Sequence, residues 1–213
     1  MDEQTSPMTW SLGAPAPVTA AAAEAPHDAD AWVLETCMGS TGTCPAELLE
    51  LLMGDERCVA FGPVHHLLVG AALLTCHRNA EAAPDRDARL AGDLEELRRR
   101  AACVPGAACA RWGVCGAAAS AGMARAIICE GAPLKARGWS ENQLMVARIL
   151  TRIAQAGRPR CCKRDARIAV ELAAESFRDE LGSGVEASER VPVCATMAEN
   201  SVCMGTACPY HPR

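Results

Sequence analysis

Thirteen cysteines among 213 residues are the side chains of this protein best able to do chemistry, because thiolates ligate metals, attack electrophiles and carry sulfur. Three groups stand out by position. Cys109 and Cys115 have five residues between them and lie in a glycine-punctuated segment, 106–116, that runs into a helix. A cysteine at a helix start has its thiolate favoured by the dipole, and glycines let backbone amides turn toward sulfur. The plainer alternative is two buried structural thiols beside a tight turn. Cys161 and Cys162 are adjacent within Pro159-Arg160-Cys161-Cys162-Lys163-Arg164-Asp165, at a second expected helix start. Neighbouring cysteines seldom ligate one tetrahedral metal together, so one is expected as a ligand and the other as a nearby thiol. Cys194, Cys203 and Cys208 fall within fifteen residues of loop-rich chain near the C-terminus.

The surroundings of these cysteines narrow the chemistry. Arg158, Arg160, Lys163, Arg164 and Arg167 crowd the Cys161–Cys162 helix start, where positive charge has the wrong sign for the helix dipole. An anion there would offset it, either a thiolate-ligated iron–sulfur cluster or the phosphate or carboxylate of a ligand. The alternative is a solvated basic patch. Cys208 is followed by Pro209, as in the ligand runs of ferredoxins, although the spacing is not theirs. A zinc site built from two cysteine pairs would need two close pairs, and the C-terminal set supplies one short spacing. His65 and His66 follow Pro63 at the start of an apolar stretch and are read as proton-transfer groups or ligands, against core histidines as the alternative. His65 and Cys76, eleven residues apart, should share a helix face. Cys37 and Cys44 form another candidate pair, while Cys58, Cys76, Cys103 and Cys129 read as small core residues.

Helices are the elements that must position these groups. Pro45 and Gly54 bracket a short one; Pro63 opens a second that runs to about Asn79; Asp85–Ala102 is amphipathic, with Leu90, Leu94 and Leu97 on one face and Arg98–Arg100 late. Gly113–Cys129 is dominated by Gly and Ala, which lets neighbouring backbones approach closely. Ser140-Glu141-Asn142-Gln143 is a capping-box pattern opening a helix that Gly157 closes, and the last helix runs from about Cys161 to Gly182. No strand alternation or repeat is present. The fold class expected is all-α, a single helical, cysteine-rich domain over residues 31–213 with a loop-rich C-terminal lid, preceded by a disordered, acidic Ala/Pro-rich tail over 1–30.

Composition sets limits. Half the residues are apolar but only seven are aromatic, which suits close helix packing. Residues 1–56 carry ten acids and no Lys or Arg, leaving 21 basic residues against 16 acids in the rest; that balance is too mild to imply nucleic-acid binding. The acidic N-terminus does not read as a signal or transit peptide. A cytoplasmic location is therefore expected, where thiols stay reduced and metal or redox chemistry outranks disulfides. No apolar run reaches membrane-spanning length. The C-x3-C-x2-C run of radical-SAM enzymes, the phosphate-binding P-loop and the dinucleotide fingerprint are all absent.

Several motifs in one order resemble those of an uncharacterised cysteine-rich family of bacteria and archaea, a domain of unknown function. They are Gly62-Pro63-Val64-His65-His66 with the apolar stretch after it, Cys109 to Gly116, Pro133-Leu134-Lys135, Pro159 to Arg164, and Cys194…Asn200…Cys203…Cys208-Pro209. The resemblance spans roughly residues 43–212. Some members are fused to methyltransferase-like domains or lie near radical-SAM proteins, which implies metal-dependent, often anaerobic, metabolism. Two departures stand out: an Ala/Pro tail replaces a C-x-x-C ribbon, and Val64 replaces an acidic residue before the histidines.

Together these readings lead to an iron–sulfur protein, an enzyme or sulfur-handling factor acting on a small anionic substrate or sulfur donor. Cys109, Cys115, Cys161 or Cys162, and one or more of Cys194, Cys203 and Cys208 are the expected ligands of a single [4Fe-4S] cluster with one open iron. His65, His66 and Cys162 are the catalytic candidates, and Arg160, Lys163, Arg164 and Lys135 the anion-binding ones. A zinc-stabilised interaction module and a metal-free thiol or persulfide carrier are the alternatives. A radical-SAM or methyltransferase partner and a homodimer are both compatible with the sequence.

Overall fold

The computed structural model describes residues 30–135, 138–157 and 159–212, and the described residues form eight helices and no strand. In chain order they are α1 (Ala31–Gly39), α2 (Pro45–Gly54), α3 (His65–Glu81), α4 (Arg86–Ala101), the single turn α5 (Ala108–Arg111), α6 (Gly116–Ile128), α7 (Trp139–Gln155) and α8 (Cys162–Leu181). Beyond α8 only two one-turn 3-10 segments interrupt a lid of irregular chain, at Met197–Glu199 and Gly205–Ala207. The expected all-α domain with a loop-rich C-terminal lid is thus what the chain forms. The expected tail over 1–30 lies, but for Asp30, outside the described residues, as does Arg158. No helix among the described residues is long and apolar enough to cross a membrane.

Helix α3 is the axis. Every residue from His65 to Arg78 is buried, because α1, α2, α4, α6 and α8 all pack on it. Its sequence explains this: Leu67, Leu68, Val69, Leu73 and Leu74 point all round, so no face prefers water. Helix α4 is the opposite case. It buries Leu90, Leu94 and Leu97 alone, and its late arginines pair within a turn with Glu95 and Glu96. The small-residue helix behaves as its composition predicts: Gly116, Ala117, Ala118, Ser120, Ala121, Gly122 and Ala124 are all buried, and α6 lies close along α3.

Two expectations need correction. Ser140 does not cap α7. Gly138, at φ 87°, is its N-cap and Trp139 its first residue, so Ser140 already lies inside the helix, and the cap of α7 makes no side-chain hydrogen bond. Cys103 is exposed rather than core, because α4 ends at Ala101 and its apolar face ends at Leu97. Cys58 and Cys76 are buried as expected, together with Cys37 and Cys44, while Cys129 is half-buried after the end of α6.

At Gly70 helix α3 approaches the backbone of α6 closely. The Gly70 N–H donates to Ser120 Oγ at 2.8 Å, and a Cβ there would come within 2.9 Å of Leu97 Cδ2 and of the Ser120 carbonyl. The Leu97 side chain can yield but the α6 backbone cannot without opening the interface. Gly70→Ala is expected to destabilise the fold by about 1–3 kcal/mol through overpacking, despite alanine's better helix propensity. Urea unfolding checks this; a stabilised variant would show that α6 can shift freely.

Candidate functional site

The cysteines singled out by spacing gather at the start of α8, but around two pockets rather than one. Cys161 and Cys162 open into different pockets. Cys161 is the N-cap of α8, extended in backbone, and its sulfur accepts from the Arg164 N–H at 3.5 Å. Along the helix, Cys161, Arg164 and Arg167 recur every three residues and line one pocket, while Cys162 and Asp165, again three apart, line the other.

The first, here the histidine pocket, brings together Cys109, Cys115 and Cys162 with His65, His66, Asp165 and Arg160. Three elements meet there. Helix α5 and the preceding Ala107, at φ 62°, present Cys109. Cys115 is the N-cap of α6. Arg160 places its guanidinium 3.7 Å from Cys109 Sγ and over the Phe61 ring, 5.6 Å from the centroid. His66 lies against bare backbone: a Cβ on Gly116 would fall 1.9 Å from its Cδ2, so only glycine fits. His66 Nδ1 is buried without a hydrogen-bond partner. His65 is engaged. Its Nδ1 faces the Gly62 carbonyl at 3.2 Å and its Nε2 faces Cys58 Sγ, not Cys76, at 3.9 Å.

Burial biases the thiols, the carboxyl and the second histidine of this pocket toward their neutral forms. It pushes Cys115 up to about 11, assisted by Asp165 and opposed by the Ala117 and Ala118 amides. It raises Cys162 against the Gly62 backbone and Arg160, and raises Asp165 against Arg164. It lowers His66, against the Val104 backbone. A bound cation would reverse the biases on the thiols and the carboxyl, since metal ions favour the thiolate and the carboxylate, and would reinforce the one on His66, since they also favour the unprotonated imidazole.

The second, the lid pocket, holds Cys161, Cys194, Cys203 and Cys208 beside Lys163, Arg164 and Arg167. Donors point at its sulfurs. Cys161 also accepts from Asn200 Nδ2 at 3.6 Å, and Cys203 from the Gly205 N–H at 3.4 Å. Burial raises Cys194, but the Thr196 backbone and hydroxyl and the Arg167 guanidinium outweigh it, so the thiol is lowered overall. The lid is closed by Cys194 N–H donating to the Tyr210 carbonyl at 2.7 Å, and the Tyr210 ring stacks on Arg167 at 5.3 Å.

The expected anion-binding residues fare differently. Lys163 is buried and donates to the Met53 and Cys58 carbonyls at 2.7 and 3.2 Å. Arg164 is held by Asp165 at 3.0 Å, the Gly157 carbonyl at 2.9 Å and Met204 Sδ. Arg167, outside that set, is bidentate to Glu50, both contacts 2.7 Å. Lys135 lines neither pocket and pairs with Glu130 on the surface. Arg160 alone among the four lies in the histidine pocket. Residues not anticipated there are Phe61 and Asp165. Asp165 was in view inside the basic motif, where the crowd of cations masked its role. In the lid pocket Met204 and His211 were likewise unanticipated; nothing in their local spacing singles them out. Among the described residues no three Cys, His, Asp or Glu side chains stand close enough to grip one ion as they are.

His65 yields a prediction about stability. Burial, with Lys163 and His66 adding to it and the Gly62 carbonyl opposing, lowers its pKa from 6.5 to about 4. The unfolded chain therefore takes up this proton before the folded one, and stability falls as pH drops from 6.5 toward 4, with no effect above that window. His65→Gln should remove part of the slope: the stability difference between wild type and variant should shrink by roughly 2 kcal/mol between pH 7 and pH 5. Urea melts at the two pH values read it, and a constant difference would mean the ring protonates within the fold.

No curated protein and no solved structure is recognisably similar to the chain. A family model described only as a family of unknown function, DUF5714, matches residues 33–211, from α1 through the lid and across both pockets. The chain belongs to this family.

Proposed function

We propose that this protein holds an iron–sulfur cluster in the histidine pocket through Cys109, Cys115 and Cys162, and works as a cluster-dependent enzyme or sulfur-handling factor on a small anionic substrate. The observation that carries the reading is the convergence of three thiols from three separate elements on one cavity that also contains an imidazole with Nδ1 unpartnered, a buried carboxyl and a guanidinium. The donor set suits the group: three cysteine ligands leave one iron of a four-iron cluster without a protein ligand. A bound cluster of that kind supplies Lewis acidity at the open iron.

The chain's own residues have separate tasks under this reading. Arg160, fixed over Phe61, balances thiolate charge and holds an anionic substrate group. His66, kept neutral by burial, accepts or returns a proton at Nδ1, the atom left without a partner. Asp165, raised by burial and held by Arg164 at 3.0 Å, is a second proton carrier in the same cavity. His65 positions its neighbour by anchoring the helix start to Gly62. Zinc on the same thiols would instead make a structural docking module, and unligated thiols a sulfur carrier.

Anaerobic purification followed by a visible spectrum and assays for iron, zinc and acid-labile sulfide separates the three. Broad sulfur-to-iron absorption with matched iron and sulfide is expected, reduced in Cys109→Ser and Cys162→Ser and unchanged in Cys129→Ser. A colourless protein with zinc, or iron and sulfide unaltered by Cys109→Ser, would sink the assignment. His66→Ala should keep the cluster spectrum while any turnover falls by about 10²–10⁴-fold.

A further inference from the structure

The lid raises a separate question, which is what orders it. Past Leu181 the described residues form no helix longer than one turn, and Val191, Val193 and Val202 are exposed. Within the lid only Val185 and Tyr210 belong to the buried apolar residues. So little buried surface does not offset the entropy of fixing some thirty residues, and loop-rich segments of this kind are ordinarily held by cross-links or metals. Three cysteines of the lid line one pocket with Cys161, which caps α8.

We propose that Cys161, Cys194, Cys203 and Cys208 form a second metal centre, separate from the histidine pocket, whose four thiolates staple the lid to α8. Three features support it beyond the count of sulfurs. Amide N–H groups already point at Cys161 and Cys203, and the Thr196 hydroxyl lies 3.8 Å from Cys194 Sγ, the pattern that stabilises thiolates in sulfur-ligated centres. The floor of the pocket is cationic: Lys163, Arg164 and Arg167 are 3%, 2% and 4% exposed. Asp165 and Glu50 offset the two arginines, whereas Lys163 contacts two carbonyls and Cys58 Sγ, none of them a carboxylate. Buried positive charge in excess is costly, and a tetrathiolate centre brings the missing negative charge. Finally, Cys203 and Cys208 ride on irregular chain that can draw inward. On loading, the S–H bonds of protonated cysteines ionise, metal–sulfur bonds form, and the protons leave to solvent.

The centre is independent of the histidine pocket, because Cys162 and not Cys161 serves there. Zinc and an iron–sulfur cluster share the tetrathiolate chemistry, and one experiment distinguishes them. The full chain is stripped with chelator, reloaded without oxygen with zinc, or with ferrous iron and sulfide, and its cysteines are alkylated briefly and mapped by mass spectrometry. Cys103 and Cys203 are both exposed, so Cys103 is an internal control. In the loaded chain Cys203 should react at least about tenfold more slowly than Cys103, and stripping should abolish the difference. Protection by zinc identifies a zinc centre, and protection only by iron with sulfide identifies a cluster. Cys109→Ser should leave the protection intact, which separates failure of the histidine pocket from failure of the lid centre. Cys194→Ser should abolish it; should that variant not fold, the wild-type comparison decides alone. Equal reactivity of Cys203 and Cys103 under both loadings would overturn the proposal.

Discussion

The arrangement of this molecule depends on one helix start. Because Cys161 stands just outside α8 in extended backbone and Cys162 is the first helical residue, a single peptide unit sends two thiols into different pockets. The helix period then assigns each following side chain. Residues 164 and 167 follow Cys161 toward the lid, and Asp165 follows Cys162 toward the histidines. A shift of one residue in where the helix begins would carry one set into the other's pocket. The N-cap hydrogen bond from Arg164 to Cys161 Sγ and the Asp165 N–H bond to the Cys161 carbonyl fix that register.

Charge follows from the same register. Positive side chains at a helix start oppose the dipole, and here they are also buried. The fold meets the cost with partners that differ for each. Arg164 takes its neighbour Asp165 and the Gly157 carbonyl. Arg167 reaches across to Glu50 on α2, and Lys163 caps the carbonyls of Met53 and Cys58, where the chain turns between α2 and α3. These cations therefore tie α8 to α2 and to the loop entering α3, besides shaping the electrostatics of the lid pocket. Removing either member of the Arg167–Glu50 pair would strand the other charge, so part of the basic cluster is structural whatever ligand the pockets take.

Much of this was legible in local sequence. Pro45 before a leucine run, the Leu90, Leu94 and Leu97 stripe, and the density of Gly and Ala after Cys115 predict α2, α4 and α6 within a few residues, because the period and the breakers act locally. The thiols were legible as groups, but their division was not. Adjacent cysteines look equivalent until the phase of the helix is known, and a one-residue difference in its start decides that phase. Partners distant along the chain were equally hidden: Glu50 and Arg167 are 117 positions apart, and no pattern near either points to the other. Without Glu50, the cluster of cations read as a demand for an external anion. With it, only part of that charge needs one. Ser140 failed as a cap for a related reason, since a left-handed glycine at 138 began the helix earlier than the side-chain pattern suggested.

How closely the histidine pocket can be built follows from what α3 and α6 lack. Along α3, His66 and Gly70 are one turn apart; along α6, Gly116 and Ser120 are one turn apart. The first contact sets the His66 ring on Gly116, where any Cβ would overlap it, and the second sets Gly70 against Ser120, where a Cβ would overlap backbone. Two contacts one turn apart on both helices fix their separation and their axial register together, because sliding by one residue would put Ala117 or Ala121 where a glycine or serine is needed. Cys115, the residue that caps α6, is thereby carried to the wall of the cavity where Cys109 and Cys162 stand. The geometry of the site is thus set from a turn away, by absent side chains, and alanine at either glycine would open the pocket before any of its thiols was touched.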